Sequence, residues 1–143
     1  MLEALKQAKK AQQNDEVPIG AVIVKDGKII AKAYNRRNTD KLACAHAEVL
    51  AINKACKTLG DWRLNGCSLY VTLEPCPMCA GACFNARLDE VVYGATDEKS
   101  GAFSACGLNM QQQLLLNHKL RVQSGVMQKQ CKQIIEDFFK SKR

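Results

Sequence analysis

Hydrophobic residues change their period several times along this chain, and each change marks an element. Leu2, Leu5 and Ala8, with Ala4 and Ala11, recur at helical spacing amid Lys6, Lys9 and Lys10, which predicts a short amphipathic helix. Val17-Pro18-Ile19-Gly20-Ala21-Val22-Ile23-Val24 is rich in β-branched residues and predicts a buried strand. Asp26-Gly27 is a hairpin signal, with Lys28-Ile29-Ile30-Ala31 as the return strand. A polar loop from Asn35 to Lys41 leads to a helix from His46 through Leu59. That helix would place Val49, Leu50, Ile52 and Ala55 on its inner side and stop at Gly60. Cys67-Ser68-Leu69-Tyr70-Val71-Thr72 predicts a third strand, Cys79 to Arg87 a helix, and Val91-Val92-Tyr93-Gly94 a fourth strand. Leu120 to Val126 reads as a shorter fifth strand, and the chain ends in a helix around Ile134, Ile135, Phe138 and Phe139.

This order of elements is a layered α/β arrangement with a mixed sheet. Only the first two strands are linked tightly enough to be antiparallel neighbours. A chain of 143 residues without internal repeat, low-complexity tract or linker fits one domain, residues 1–143. Lys and Arg outnumber Asp and Glu by 21 to 14. From Lys119 to Arg143 seven basic residues face only Glu136 and Asp137, so five of the net +7 charges sit in this tail. Such an excess favours an anionic partner through long-range attraction and counterion release, with a solvated helix face as the alternative. The opening Met1-Leu2-Glu3-Ala4-Leu5-Lys6 lacks a signal-peptide core, and no stretch approaches membrane-spanning length. A cytoplasmic protein without membrane contact is expected. In that reducing setting Cys44, Cys56, Cys67, Cys83, Cys106 and Cys131 should be free, several as small buried apolar residues.

The chemistry lies in a split constellation. His46-Ala47-Glu48 is followed, 28 residues after the glutamate, by Cys76 of Pro75-Cys76-Pro77-Met78-Cys79. One imidazole and two thiols are three ligands for a tetrahedral zinc ion, which leaves the fourth position to water; closed structural sites use four protein ligands. A redox pair would explain Cys76 and Cys79 but not His46 and Glu48. A zinc ribbon would want a second Cys-x-x-Cys or a histidine pair, and the sequence has neither. The cysteines open a predicted helix, where the dipole and free N–H groups stabilise thiolates. Side chains two positions apart on a helix diverge by about 200°, so His46 and Glu48 share a pocket only from the first turn. Glu48 is then the proton carrier, taking a proton from zinc-held water and returning it to substrate.

His-x-Glu followed by Pro-Cys-x-x-Cys is the signature of zinc-dependent nucleobase deaminases. The surrounding residues narrow the resemblance. Val17 to Val22, Asn35-Arg36, Ala45 to Glu48, Thr72 to Ala82, Val91 to Ala95, Asp97 to Ala102 and Asp137-Phe138-Phe139 resemble the bacterial tRNA-specific adenosine deaminases, in the cytidine/deoxycytidylate deaminase superfamily. The likeness runs in order from about residue 2 to about residue 140, and the stretch from Phe103 to Leu116, with Gln111-Gln112-Gln113-Leu114-Leu115-Leu116, matches least.

That resemblance implies a three-layer α/β/α cytidine-deaminase-like fold with a central five-stranded mixed sheet. It implies one zinc ion per subunit on His46, Cys76 and Cys79, with Glu48 as proton donor and acceptor. The implied reaction is hydrolysis of adenosine to inosine at the wobble position (position 34) of a tRNA anticodon, with release of ammonia. The base would leave its stack and enter a pocket. Asn35 matches the residue that hydrogen-bonds the target nucleotide, and Pro18 would shape the pocket wall. Asp97 and Lys99 would line the RNA-facing side. Phe139 and Lys140 would contact the anticodon stem-loop, Phe139 by stacking if it is exposed. Lys140 stands where an arginine is common, which implies a point charge in place of a bidentate phosphate contact. A homodimer is also implied. The rival is a free nucleobase deaminase of guanine or cytosine on the same metal centre, which would leave the basic tail idle. A non-catalytic RNA-binding module with structural zinc would leave Glu48 without a task.

Overall fold

A computed structural model describes residues 1–104 and 118–143; Cys106 and the run Gln111 to Leu116 lie outside the described residues. Five strands form one sheet: β1 (Gly20–Lys25), β2 (Lys28–Tyr34), β3 (Cys67–Leu73), β4 (Glu90–Ala95) and β5 (Arg121–Gln123), in the order β2-β1-β3-β4-β5. β1 is antiparallel to both β2 and β3, whereas β4 is parallel to both β3 and β5. Asp26 and Gly27 take positive φ angles of 51° and 74°, the backbone that a two-residue hairpin turn requires.

Helices cover both faces of the sheet. On one side lie α3 (Ala47–Leu59) and α4 (Pro77–Asn85), whose Ala51, Ile52, Cys83 and Phe84 pack on Ile23, Leu69 and Val71. On the other lie α1 (Leu2–Gln13) and α5 (Gln128–Ser141), where Leu5, Ala8 and Ile134 close over Ala95. A single turn, α2 (Arg37–Asp40), precedes α3. This is the three-layer α/β/α fold with a five-stranded mixed sheet that the resemblance implies. The small side chains of Ala4, Ala8 and Ala11 let the α1 backbone approach the sheet. A Cβ added at Gly20 would overlap the Ala4 carbonyl and the Ala8 amide, so the glycine is a condition of that approach.

Several boundaries differ from the sequence reading. β1 starts at Gly20, because Pro18 has no N–H to give a ladder and Ile19 instead donates to Val17 O at 2.8 Å. The predicted loop from Asn35 to Lys41 contains α2, held by the Arg36 guanidinium, which donates to both Asp40 oxygens at 2.8–3.1 Å. Val49 and Leu50 are only half-buried; the inner face of α3 is Ala47, Glu48, Ala51, Ile52 and Ala55. α4 begins at Pro77 rather than Cys79, since proline at the first helical position forfeits no bond. β5 shrinks to Arg121–Gln123, and the last helix lengthens to Gln128–Ser141. Cys44 is exposed and Cys56 half-buried, while Cys67, Cys83 and Cys131 are buried as expected.

Gly20→Ala is expected to cost about 1–3 kcal/mol by overpacking, read as a lower urea midpoint at unchanged slope. Gly81→Ala, where nothing lies within 4 Å of the added carbon, should instead hold or raise stability, by up to about 1 kcal/mol.

Candidate metal centre

Two helix N-termini meet at the carboxyl end of β3. His46 is the N-cap of α3 and Cys76 the N-cap of α4, both with extended backbone. Glu48 and Cys79 follow in the first turns of the two helices. His46 Nδ1 lies 3.8 Å from Cys76 Sγ and 3.4 Å from Cys79 Sγ, and the three donor atoms fall within 4.8 Å of one another. One nitrogen and two sulfurs at that spacing are a donor set suited to zinc, with a tetrahedral corner unclaimed by these three residues.

The electrostatics fit the same use. The Cys76 thiol is pulled down to about 4, first by the S–H of Cys79 donating to it and then by His46. Cys79, the donor of that pair, is pushed up, and His46 is raised by its bond to Cys76. Ion binding would therefore displace a proton from Cys79. Glu48 is 3 % exposed, and burial pushes its carboxyl up to about 7. Among the described residues its buried Oε2 has no hydrogen-bond partner. An orphaned buried oxygen needs a donor, and a water at the open corner would be one.

The remaining expected residues divide into two groups. Asp97, Lys99 and Phe139 line one cleft of about 530 Å³ between α5 and the carboxyl ends of β3 and β4, with Leu73, Lys132 and Ile135. None of His46, Cys76 and Cys79 lines it. Phe139 is 48 % exposed, whereas Phe138 is 6 % exposed and belongs to the core, so the aromatic face on the surface is that of Phe139. Lys140 is exposed on the same helix but does not line the cleft. Pro18 and Asn35 are buried next to Val17, which does line it. The Asn35 amide donates to Val17 O at 3.3 Å and its Oδ1 accepts from Arg37 N at 3.3 Å. Among the described residues these bonds leave one amide hydrogen and one lone pair of Asn35 without a partner.

Two buried carboxylates escaped the sequence reading. Glu16, fully buried, accepts the Thr39 N–H at 2.6 Å and so pins the segment after Asn35. Glu74, 2 % exposed, accepts donors from the Asp97–Ser104 stretch. The signal was present: each acid adjoins an apolar run, Glu16 before Val17-Pro18 and Glu74 after Val71-Thr72-Leu73. Such a position predicts burial, and a buried acid predicts donors.

Comparison with known proteins places the chain. The family model for MafB19-like deaminases matches residues 1–143. A tRNA-specific adenosine deaminase of Bacillus subtilis is 52% identical over 143 residues, covering 100% of this chain and 88% of the relative. One of Agrobacterium fabrum is 45% identical, covering 98% and 91%. Among solved structures, a tRNA:A34 deaminase described for A-to-I editing at the wobble position superposes with a TM-score of 0.89 at 44% identity. That match covers 94% of this chain and 96% of the other. A guanine deaminase of Bacillus subtilis superposes less fully, with a TM-score of 0.64 at 47% identity over 66% of this chain.

Elemental analysis of the purified protein is expected to give one zinc ion per chain. His46→Ala or Cys79→Ala should weaken metal affinity beyond the roughly 10–100-fold typical of outer-shell changes, while Cys83→Ala, a buried thiol outside the cluster, should retain full metal content.

Proposed function

The chain belongs to the MafB19-like deaminases, among the tRNA-specific adenosine deaminases, and from that premise we infer its reaction: hydrolytic deamination of adenosine to inosine at the wobble position of a tRNA anticodon. The observation that carries the reading is one imidazole and two thiols within 4.8 Å, beside a buried Glu48 whose Oε2 has no partner among the described residues. His46, Cys76 and Cys79 hold the metal, one zinc per subunit. When bound, zinc acts as a Lewis acid that brings the pKa of water toward neutrality.

Glu48 carries the proton. From the first turn of α3 it takes a proton from the attacking water and passes it to the ring nitrogen of adenine. It then takes the second proton from the hydroxyl added at C6 and gives it to the departing amine. Oxygen adds at C6, ammonia leaves, and the base becomes hypoxanthine. The carboxyl's burial keeps bulk water from competing for these transfers.

The rest of the site recognises RNA. Asn35 has one donor and one acceptor free for the target nucleotide, with Pro18 as part of the pocket wall. Asp97 and Lys99 present the cleft edge, and Phe139 offers an exposed ring for a splayed base. Lys140 supplies a phosphate contact from the basic tail. The anticodon stem-loop is thus the partner, met by a homodimer in the cytoplasm as the family resemblance implies. Among the described residues no helix is long and apolar enough to cross a membrane.

An anticodon stem-loop with adenosine at the wobble position should be converted to inosine; turnover of free guanine or cytosine without inosine formation would establish the rival. Glu48→Ala should keep its zinc and lose about 10²–10⁴-fold in rate. Phe139→Ala should weaken stem-loop binding by about 1–3 kcal/mol, and Lys140→Ala should flatten its salt dependence by about 0.7 of a log unit per decade.

A further inference from the structure

Glu74 takes no part in the chemistry above, yet it stands two residues before Cys76 and is almost fully buried. Its Oε2 accepts the Asp97 N–H at 3.0 Å and the Ser104 hydroxyl at 2.7 Å. Its Oε1 accepts the Phe103 N–H at 3.2 Å and the same hydroxyl at 2.9 Å. The backbone repeats the connection, with Glu74 N donating to Ala95 O at 2.8 Å and Ala102 N to Pro75 O at 2.9 Å. A Cβ at Gly101 would overlap Glu74 Oε2, so the segment closes down on the carboxylate only because that position is glycine. Inside the segment Asp97 shapes its own turn, accepting from Lys99 N at 3.0 Å and Ser100 N at 3.1 Å. One buried acid thus clasps both ends of the stretch whose Asp97 and Lys99 border the cleft, and it does so from the turn that supplies Cys76.

A loop has no ladder to satisfy its N–H groups, and a buried carboxylate needs donors. Each therefore fixes the other. We infer that Glu74 is a positioning residue for nucleotide recognition: it locks the Asp97–Ser104 segment to the metal-ligand turn, so that the cleft edge and the reacting centre keep one spacing. This rests on the reading of Asp97 and Lys99 as RNA-facing.

Glu74→Gln preserves volume but cannot preserve the contacts. Whichever way the amide turns, its NH₂ confronts a backbone N–H, either of Asp97 or of Phe103. The expected result is a KM for the stem-loop raised about tenfold with kcat within about threefold. One zinc per chain should be retained, and amide hydrogen exchange over 97–104 should accelerate. Gly101→Ala, which leaves the carboxylate in place and displaces the segment, should give the same signature; Ser104→Ala, which removes the hydroxyl donor and leaves both backbone donors, should give a smaller one. Should Glu74→Gln fail to fold, these two variants carry the test. Unchanged KM and unchanged exchange in the variants would overturn the inference. So would loss of zinc and kcat together at unchanged KM, which would confine Glu74 to the ligand turn. Exchange is measured without RNA, so a wild-type protein inactive on the stem-loop would refute the proposed reaction while the exchange data still judge the clasp.

Discussion

Four side chains from two helices must reach one point, and that requirement organises the molecule. Helical geometry sends residues two apart to nearly opposite sides, so His46 and Glu48 converge only where α3 begins. Cys76 and Cys79, three apart, fall on one face of α4, and Cys76 as its N-cap puts that pair at the start of the helix. Both N-termini must therefore lie together at one edge of the sheet. The parallel pair β3–β4 achieves this for α4, because the chain leaves the carboxyl end of β3 directly into the helix. For α3 the task falls to the segment after β2, where Arg36 grips Asp40 and its own N–H donates to Ala45 O at 3.0 Å. Helix N-termini also present free N–H groups and a positive dipole end, which suits thiolates at that edge.

Buried acids form a second layer of organisation. Glu16, Glu48 and Glu74 are all at most 3 % exposed, a costly arrangement for carboxylates unless donors meet them. They differ in how far they are satisfied. Glu74 has donors on both oxygens and acts as a clasp. Glu16 binds one backbone N–H, and its second oxygen has no partner among the described residues. Among the described residues Glu48 likewise has an oxygen without a partner, and it is the one beside the cluster of His46, Cys76 and Cys79. Glu16 and Glu74 each hold a loop through backbone N–H groups, and Glu48 is set apart by its place beside His46, Cys76 and Cys79.

Much of this was legible in the sequence because the decisive signals are local. Asp26-Gly27 specifies its hairpin through backbone sterics, and Gly60 ends α3 in a left-handed C-cap. The ligand spacing carries its chemistry in residue type alone. Non-local effects were not legible. Val49 and Leu50 lie half-buried, and the inner face instead contains Ala47 and Glu48, because the site at its start sets the rotation of α3. Cys44 is exposed despite its apolar character, since its loop runs over the surface ahead of His46. The roles of Glu16 and Glu74 depend on backbone donors 23 to 29 residues away, a separation no sequence period encodes. Phe138 and Phe139 are chemically identical neighbours, and only the seating of α5 separates core from surface.

X-ray absorption spectroscopy at the zinc edge of the purified protein tests the central claim most directly. The account predicts two sulfur scatterers at about 2.3 Å and two lighter ones at about 2.0–2.1 Å, with the multiple-scattering pattern of a single imidazole. A third sulfur or a second imidazole in the shell would contradict it, as would a metal-free protein with Cys76 and Cys79 bonded to each other.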